Sequence, residues 1–145
     1  MLKNLIYSLI VIFCFNIEVN AEYLERGKGV LEYKQMKEVV VNYFNIFSNK
    51  DLNGLEEAFS DEVILKDWDI LAIGKKEVLA ANKNIFDNVQ TISVNINEIY
   101  IHNLTATCII EVLINNEEKL SVVDIIKVDA EGKILEISAY KQQKC

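Results

Sequence analysis

Proline is absent from the 145 residues, histidine and tryptophan occur once each, and Arg26 is the only arginine. Each scarcity excludes something. Without proline, helix and strand ends have to be read from Gly, Asn and Asp. Beyond the first 21 residues only one histidine and two cysteines remain, too few for a four-ligand zinc site of His and Cys, so no metal is expected. No glycine-rich phosphate loop, no G-x-S-x-G and no Cys–His pair is present. A formal net charge of −7 argues against nucleic acid and against anionic membranes as partners. Internal repeats, low-complexity runs and long linkers are also missing.

What is there suits one compact domain with a substantial core, since about half of the residues are hydrophobic (51%). The first 21 residues stand apart. Lys3 precedes "LIYSLIVIFCF" (5–15), an apolar run broken only by Ser8, and "VNA" (19–21) ends it with residues a signal peptidase reads. That pattern predicts an export signal cleaved after Ala21, hence a periplasmic or secreted protein. Eleven apolar residues are too few for a membrane span, so no stable anchoring is expected once the signal is removed. Phe13 before Cys14 is unsuited to a lipoprotein site. Residues 22–30 form a short extension, 31–142 the domain and 143–145 a tail. In the mature chain Cys108 is expected to be buried and Cys145 to lie loose at the end rather than to pair.

Within the domain, Met36, Val40, Tyr43 and Phe47 fall at helical spacing and predict a long amphipathic helix that "SNKD" (48–51) ends. Asp51 can cap a short second helix carrying Leu52, Leu55 and Phe59. "SDEVILKDWD" (60–69) then reads as a strand. A third helix begins near Gly74, with Val78, Leu79, Asn82, Ile85 and Phe86 on its apolar side. Beyond it the period changes to two, and four strands are joined at "HN", "NNEE" and "DAEG". His102 falls in the first of these turns. The order predicts an α+β domain with helices packed on one face of a curved antiparallel sheet. Both faces of "TATCIIEVLI" (105–114) are partly apolar, which predicts a homodimer through the face the helices leave uncovered.

Three polar residues fall on the buried faces of these elements. In "LSVVDIIKV" (120–128), Asp124 shares a face with Leu120, Val122, Ile126 and Val128. Asp67 shares one with Val63 and Leu65, and Tyr43 sits on the core stripe of the first helix. A carboxylate buried without a partner is costly, so such a group stays protonated or faces a cavity. Two carboxyls and a phenol converging on one interior make a candidate site.

The stretches "YFNIFSNKDLNGLEEAFSDEVILKDWD", "IGKKEVLAA" and "VVDIIKVDAEGKILEISAYK" resemble the nuclear-transport-factor-2-like (NTF2-like, SnoaL-like) superfamily over about Leu31 to Gln142. Among its members the pattern is most similar to the ketosteroid isomerases. The resemblance implies a cone-shaped, curved antiparallel sheet with three N-terminal helices on its concave side. It also implies roles: Asp67 as general base, with Tyr43 and a neutral Asp124 as hydrogen-bond donors to an enolate oxygen. No cofactor is needed, and the ligand implied is a small hydrophobic carbonyl compound. Phe59, Trp68, Asn82, Leu120, Val122, Leu135, Ile137, Ala139 and Lys141 would form its pocket. The chain departs from the isomerases at Phe59 and Asn82, where supporting tyrosines are usual, at Trp68 after the base, and at Lys141 at the pocket mouth. Epoxide-hydrolase and dehydratase variants of the fold need an Asp–Arg–Asp set or a histidine pair, which the domain lacks. An isomerase, a polyketide-cyclase-like enzyme and a non-catalytic binding or dimerisation module remain as readings of the same pocket.

Overall fold

Met36, Val40, Tyr43 and Phe44 are all buried on one side of helix α1, which covers 33–48, and this stripe is what fastens the helix to the sheet. The computed structural model describes residues 33–142. The export signal, the extension 22–30 and Cys145 lie outside the described residues. Among the described residues no helix is long and apolar enough to cross a membrane.

Helix α1 stops where Lys50 adopts a left-handed backbone (φ 55°). Asp51 then caps α2 (Leu52–Ala58), its Oδ1 accepting from the Gly54 N–H at 3.0 Å. Leu55 is the buried anchor of that short helix. Strand β1 (Phe59–Lys66) and the short β2 (Leu71–Ile73) form an antiparallel pair, and α3 (Lys75–Asn88) follows from Gly74. Val78, Asn82 and Phe86, spaced four apart, form its buried stripe. Strands β3 (Ile92–His102), β4 (Thr105–Ile114), β5 (Glu118–Val128) and β6 (Ile134–Lys141) complete the chain. Left-handed Asn103, Asn115, Asn116 and Gly132 make the three hairpin turns, as the Asn- and Gly-bearing connections foretold.

The six strands lie in the order β2-β1-β6-β5-β4-β3, in a curved sheet that does not close. Every pairing is antiparallel except β1 with β6. The last strand therefore slots between the early strand and the meander and joins them into one sheet. The three helices and this sheet make the α+β architecture expected from the order of the elements.

Several details differ from the sequence expectation; Phe59, read as part of the second helix, begins β1, and His102, read as a turn residue, ends β3. The strand expected over 60–69 ends at Lys66, because residues 67–70 turn back into β2, a strand too short to leave a period of two. Leu135 also leaves the face that its spacing with Ile137 and Ala139 implied. Val128 pairs with Ile134 but Lys127 pairs with Glu136, so Leu135 is an extra residue that breaks the alternation. Ile134, of the opposite parity, takes the fully buried place. A similar bulge at Asn97 lets β3 face inward with Val94 and Ile96, then with Ile99 and Ile101.

Candidate active site

A cavity of about 270 Å³ lies between α1, α3 and the helix-covered face of the sheet. Its size is at the lower end for small-molecule sites. The walls are largely aliphatic and aromatic, and the polar side chains that reach them are few: Tyr43, Asp67, Asp69, Asn82 and Asp124. The structure thus brings Tyr43, Asp67 and Asp124 to one cavity.

Asp124 arrives there through sheet register. It lies opposite Cys108 on β4 and Ala139 on β6, in an inward-facing row that Ile99 continues on β3. Only 6% of its surface is exposed, and Oδ1 is the one sealed side-chain polar atom without a hydrogen-bond partner among the described residues. Burial, and then the negative charge of Asp67, raise its pKa from 3.8 to about 7. The group is therefore poised between carboxylic acid and carboxylate near neutrality.

Tyr43, 5% exposed, is clamped by rings: its centroid lies 5.1 Å from that of Phe44 and 6.2 Å from those of Phe47 and Phe59. Its hydroxyl bonds to no protein group, yet it is not sealed, so it opens on the cavity that Tyr43 lines. Burial, followed by the charges of Asp124 and Cys108, pushes its pKa above the ordinary tyrosine value, and it remains a neutral donor. Cys108, behind Asp124, is likewise pushed up to about 12 by burial and by Asp124, so it stays a thiol.

Asp67 is held differently. Its Oδ1 accepts from the backbone N–H groups of Asp69 (2.7 Å) and Ile70 (2.6 Å), an Asx turn that reverses the chain after β1. One carboxylate oxygen is thereby committed to the fold, while Oδ2 makes no hydrogen bond to the protein. Trp68, 45% exposed, lines the cavity beside it, and the Lys141 ammonium sits 5.6 Å from its ring centroid.

Of the pocket residues expected from sequence, Trp68, Asn82, Leu120, Val122, Ile137 and Ala139 line the cavity. Three do not. Phe59 is wholly buried behind Tyr43 and supports its ring instead. Leu135 is displaced by its bulge, as above. Lys141 has the inward parity of its partner Val122, but it stands at the strand end and is exposed, bordering an outer hollow with Lys66 and Ser138. Residues that the sequence reading missed include Phe44, Phe47, Ile70, Ile85 and Val94. Phe47 and Ile85 were legible as members of helical apolar stripes. Ile70 carried no signal, because it depends on the turn at Asp67.

The helix-backed, curved sheet with its pocket is the NTF2-like fold. Three solved structures illustrate the likeness. A candidate ketosteroid isomerase from Kribbella flavida DSM 17836 superposes with a TM-score of 0.68 at 11% identity, over 77% of this chain and 81% of that one. A candidate SnoaL-like polyketide cyclase from Shewanella denitrificans OS-217 gives 0.68 at 13%, over 74% and 90%. An LEH-like epoxide hydrolase from M. tuberculosis gives 0.65 at 16%, over 75% and 84%. At such identities the likeness shows the fold alone. No curated protein matches the chain. The SnoaL-like domain matches residues 36–123, more than half of the sequence, and the chain belongs to that family.

Proposed function

We propose that the protein binds a small hydrophobic carbonyl compound in this cavity and moves a proton at the carbon next to the carbonyl. One observation carries the reading: Tyr43 and Asp124, both buried and both without a protein partner, share an apolar cavity with the carboxylate of Asp67. Oδ2 of Asp67 takes the proton from carbon, and the charge that develops on the carbonyl oxygen is met by hydrogen bonds from the Tyr43 hydroxyl and the neutral Asp124 carboxyl. Asp67, half-buried and able to exchange its acquired proton with solvent, then returns a proton to carbon, so no oxidant, reductant or co-substrate is consumed. The apolar walls around Tyr43 and Asp124 lower the local dielectric and strengthen both hydrogen bonds. The likeness to a candidate ketosteroid isomerase supports the chemistry, while the likeness to a candidate polyketide cyclase keeps a ring-closing variant of the same base in view.

The test uses 2-tetralone, a compact bicyclic ketone with exchangeable protons, followed by NMR in D2O. The protein should accelerate deuterium uptake above the buffer rate, and Asp67→Asn should lose that acceleration while still binding the ketone. Because the donor role needs a protonated Asp124, the acceleration should fall as pH rises through about 7. Binding without acceleration in the unaltered protein would instead support a non-catalytic ligand carrier. One feature favours that second reading: the ring packed behind Tyr43 is Phe59, which has no hydroxyl to support the Tyr43 phenol.

A further inference from the structure

Asn82 is 2% exposed, in the middle of the buried stripe of α3, where an aliphatic residue would pack without any polar demand. Its Nδ2 donates to the Val78 carbonyl oxygen one turn earlier, at 2.8 Å. A carbonyl oxygen can only accept, so this bond fixes which end of the amide is which. Oδ1 is therefore directed away from the Val78 carbonyl, and no protein group donates to it. It is not sealed either, since Asp124 Oδ1 is the one sealed, unpartnered side-chain polar atom among the described residues. Asn82 lines the cavity, so its free oxygen opens there.

The polar groups around the cavity then divide by sense. Tyr43 and protonated Asp124 donate. Oδ2 of Asp67 and Oδ1 of Asn82 accept, as does the more exposed Asp69 carboxylate. A plain ketone satisfies the two buried donors and leaves the buried acceptor of Asn82 facing hydrocarbon, an arrangement that is costly when a water is displaced without replacement. We infer that the ligand carries, besides its carbonyl, an O–H or N–H group that donates to Oδ1 of Asn82, which makes Asn82 a residue that sets specificity. The inference rests on the carbonyl-binding reading of the same cavity, but not on whether any proton is moved there. The ligand class is a compact hydroxylated or amino-substituted hydrophobic ketone.

Calorimetric titration of the protein with 2-tetralone and with its hydroxylated isomers, one hydroxyl at each aromatic ring position, tests this. At least one isomer should bind about tenfold more tightly than 2-tetralone, in line with a hydrogen bond that rescues a buried acceptor. In Asn82→Leu that advantage should vanish while 2-tetralone binds as well or better. Asn82→Ala should behave alike, which guards against a packing fault peculiar to leucine. The inference is overturned if no isomer gains, if the gain survives in both variants, or if neither 2-tetralone nor any isomer binds. An Asn82-dependent gain without deuterium exchange would sink only the catalytic reading. Exchange with no Asn82-dependent gain would sink only this one.

Discussion

Asp124→Asn changes little in volume and keeps a donor, but it removes the one ionisable group that, among the described residues, the fold seals without a partner. The consequence for stability follows from linkage. In the unfolded chain this carboxyl loses its proton near 3.8, whereas in the folded protein it holds it up to about 7. Below 3.8 both states are protonated and the residue is neutral toward folding. Between 3.8 and about 7 the unfolded chain releases the proton and the folded one does not, so rising pH progressively favours unfolding. Above about 7 both states are ionised and the penalty levels off. About three pH units at about 1.4 kcal/mol each set a ceiling of about 4 kcal/mol. Of the other groups facing Asp124, Tyr43 and Cys108 are held neutral well above this range, and the repulsion from Asp67 is part of the shift that the substitution removes. Urea denaturation of both forms at intervals from pH 3.5 to 8 is the assay. Asp124→Asn should match the parent near pH 3.5 and become more stable as pH rises, by up to about 4 kcal/mol at pH 8. A difference that stays flat with pH would mean an unshifted carboxyl, and a variant that loses stability as pH rises would mean an aspartate ionised and well paired in the folded state; either would refute the reasoning.

Three further outcomes are expected. Export should yield a mature protein that begins at Glu22, read by intact-mass measurement of material from the periplasm or medium; a soluble cytoplasmic form retaining Met1 to Ala21 would contradict it. The sheet face away from the helices sets Ile109 beside Val123 and Thr107 beside Ile125, with exposed Tyr100 and Tyr140 flanking them. Light scattering at micromolar concentration should therefore give a dimer mass, and Ile109→Asp should shift it to monomer. Gly74 starts α3 at φ 87° and ψ 150°, a region that essentially only glycine occupies, yet a Cβ there would meet nothing closer than the Asp61 carbonyl oxygen at 3.8 Å. Gly74→Ala should thus lose about 1–3 kcal/mol in denaturant through backbone strain alone, and an unchanged midpoint would show that the helix start relaxes freely.

Periodicity by itself determined the helices and the long strands of this protein, though not the short β2. A stripe at Met36, Val40, Tyr43 and Phe47 can bury only as a helix, and alternation with Asn-rich turns can bury only as hairpins, so both were legible as local patterns. The same local logic exposed Asp124, because a carboxyl in an aliphatic strand face is an anomaly that needs no neighbours to be noticed. Tertiary structure decided what alternation could not carry. A bulge at Leu135 is invisible in sequence, since one extra residue in a strand reverses the parity of everything beyond it, and only the partner strand reveals where that occurs. Phe59 reads equally well as pocket lining or as support, and the packing of its ring against Tyr43 settled it as support. The two oxygens of Asp67 are alike in sequence, but the turn to Asp69 and Ile70 takes one and leaves the other. For Asn82 the decisive fact is a direction in space: its amide nitrogen is tied to the Val78 carbonyl while the residue lines the cavity, which leaves its oxygen without a protein donor.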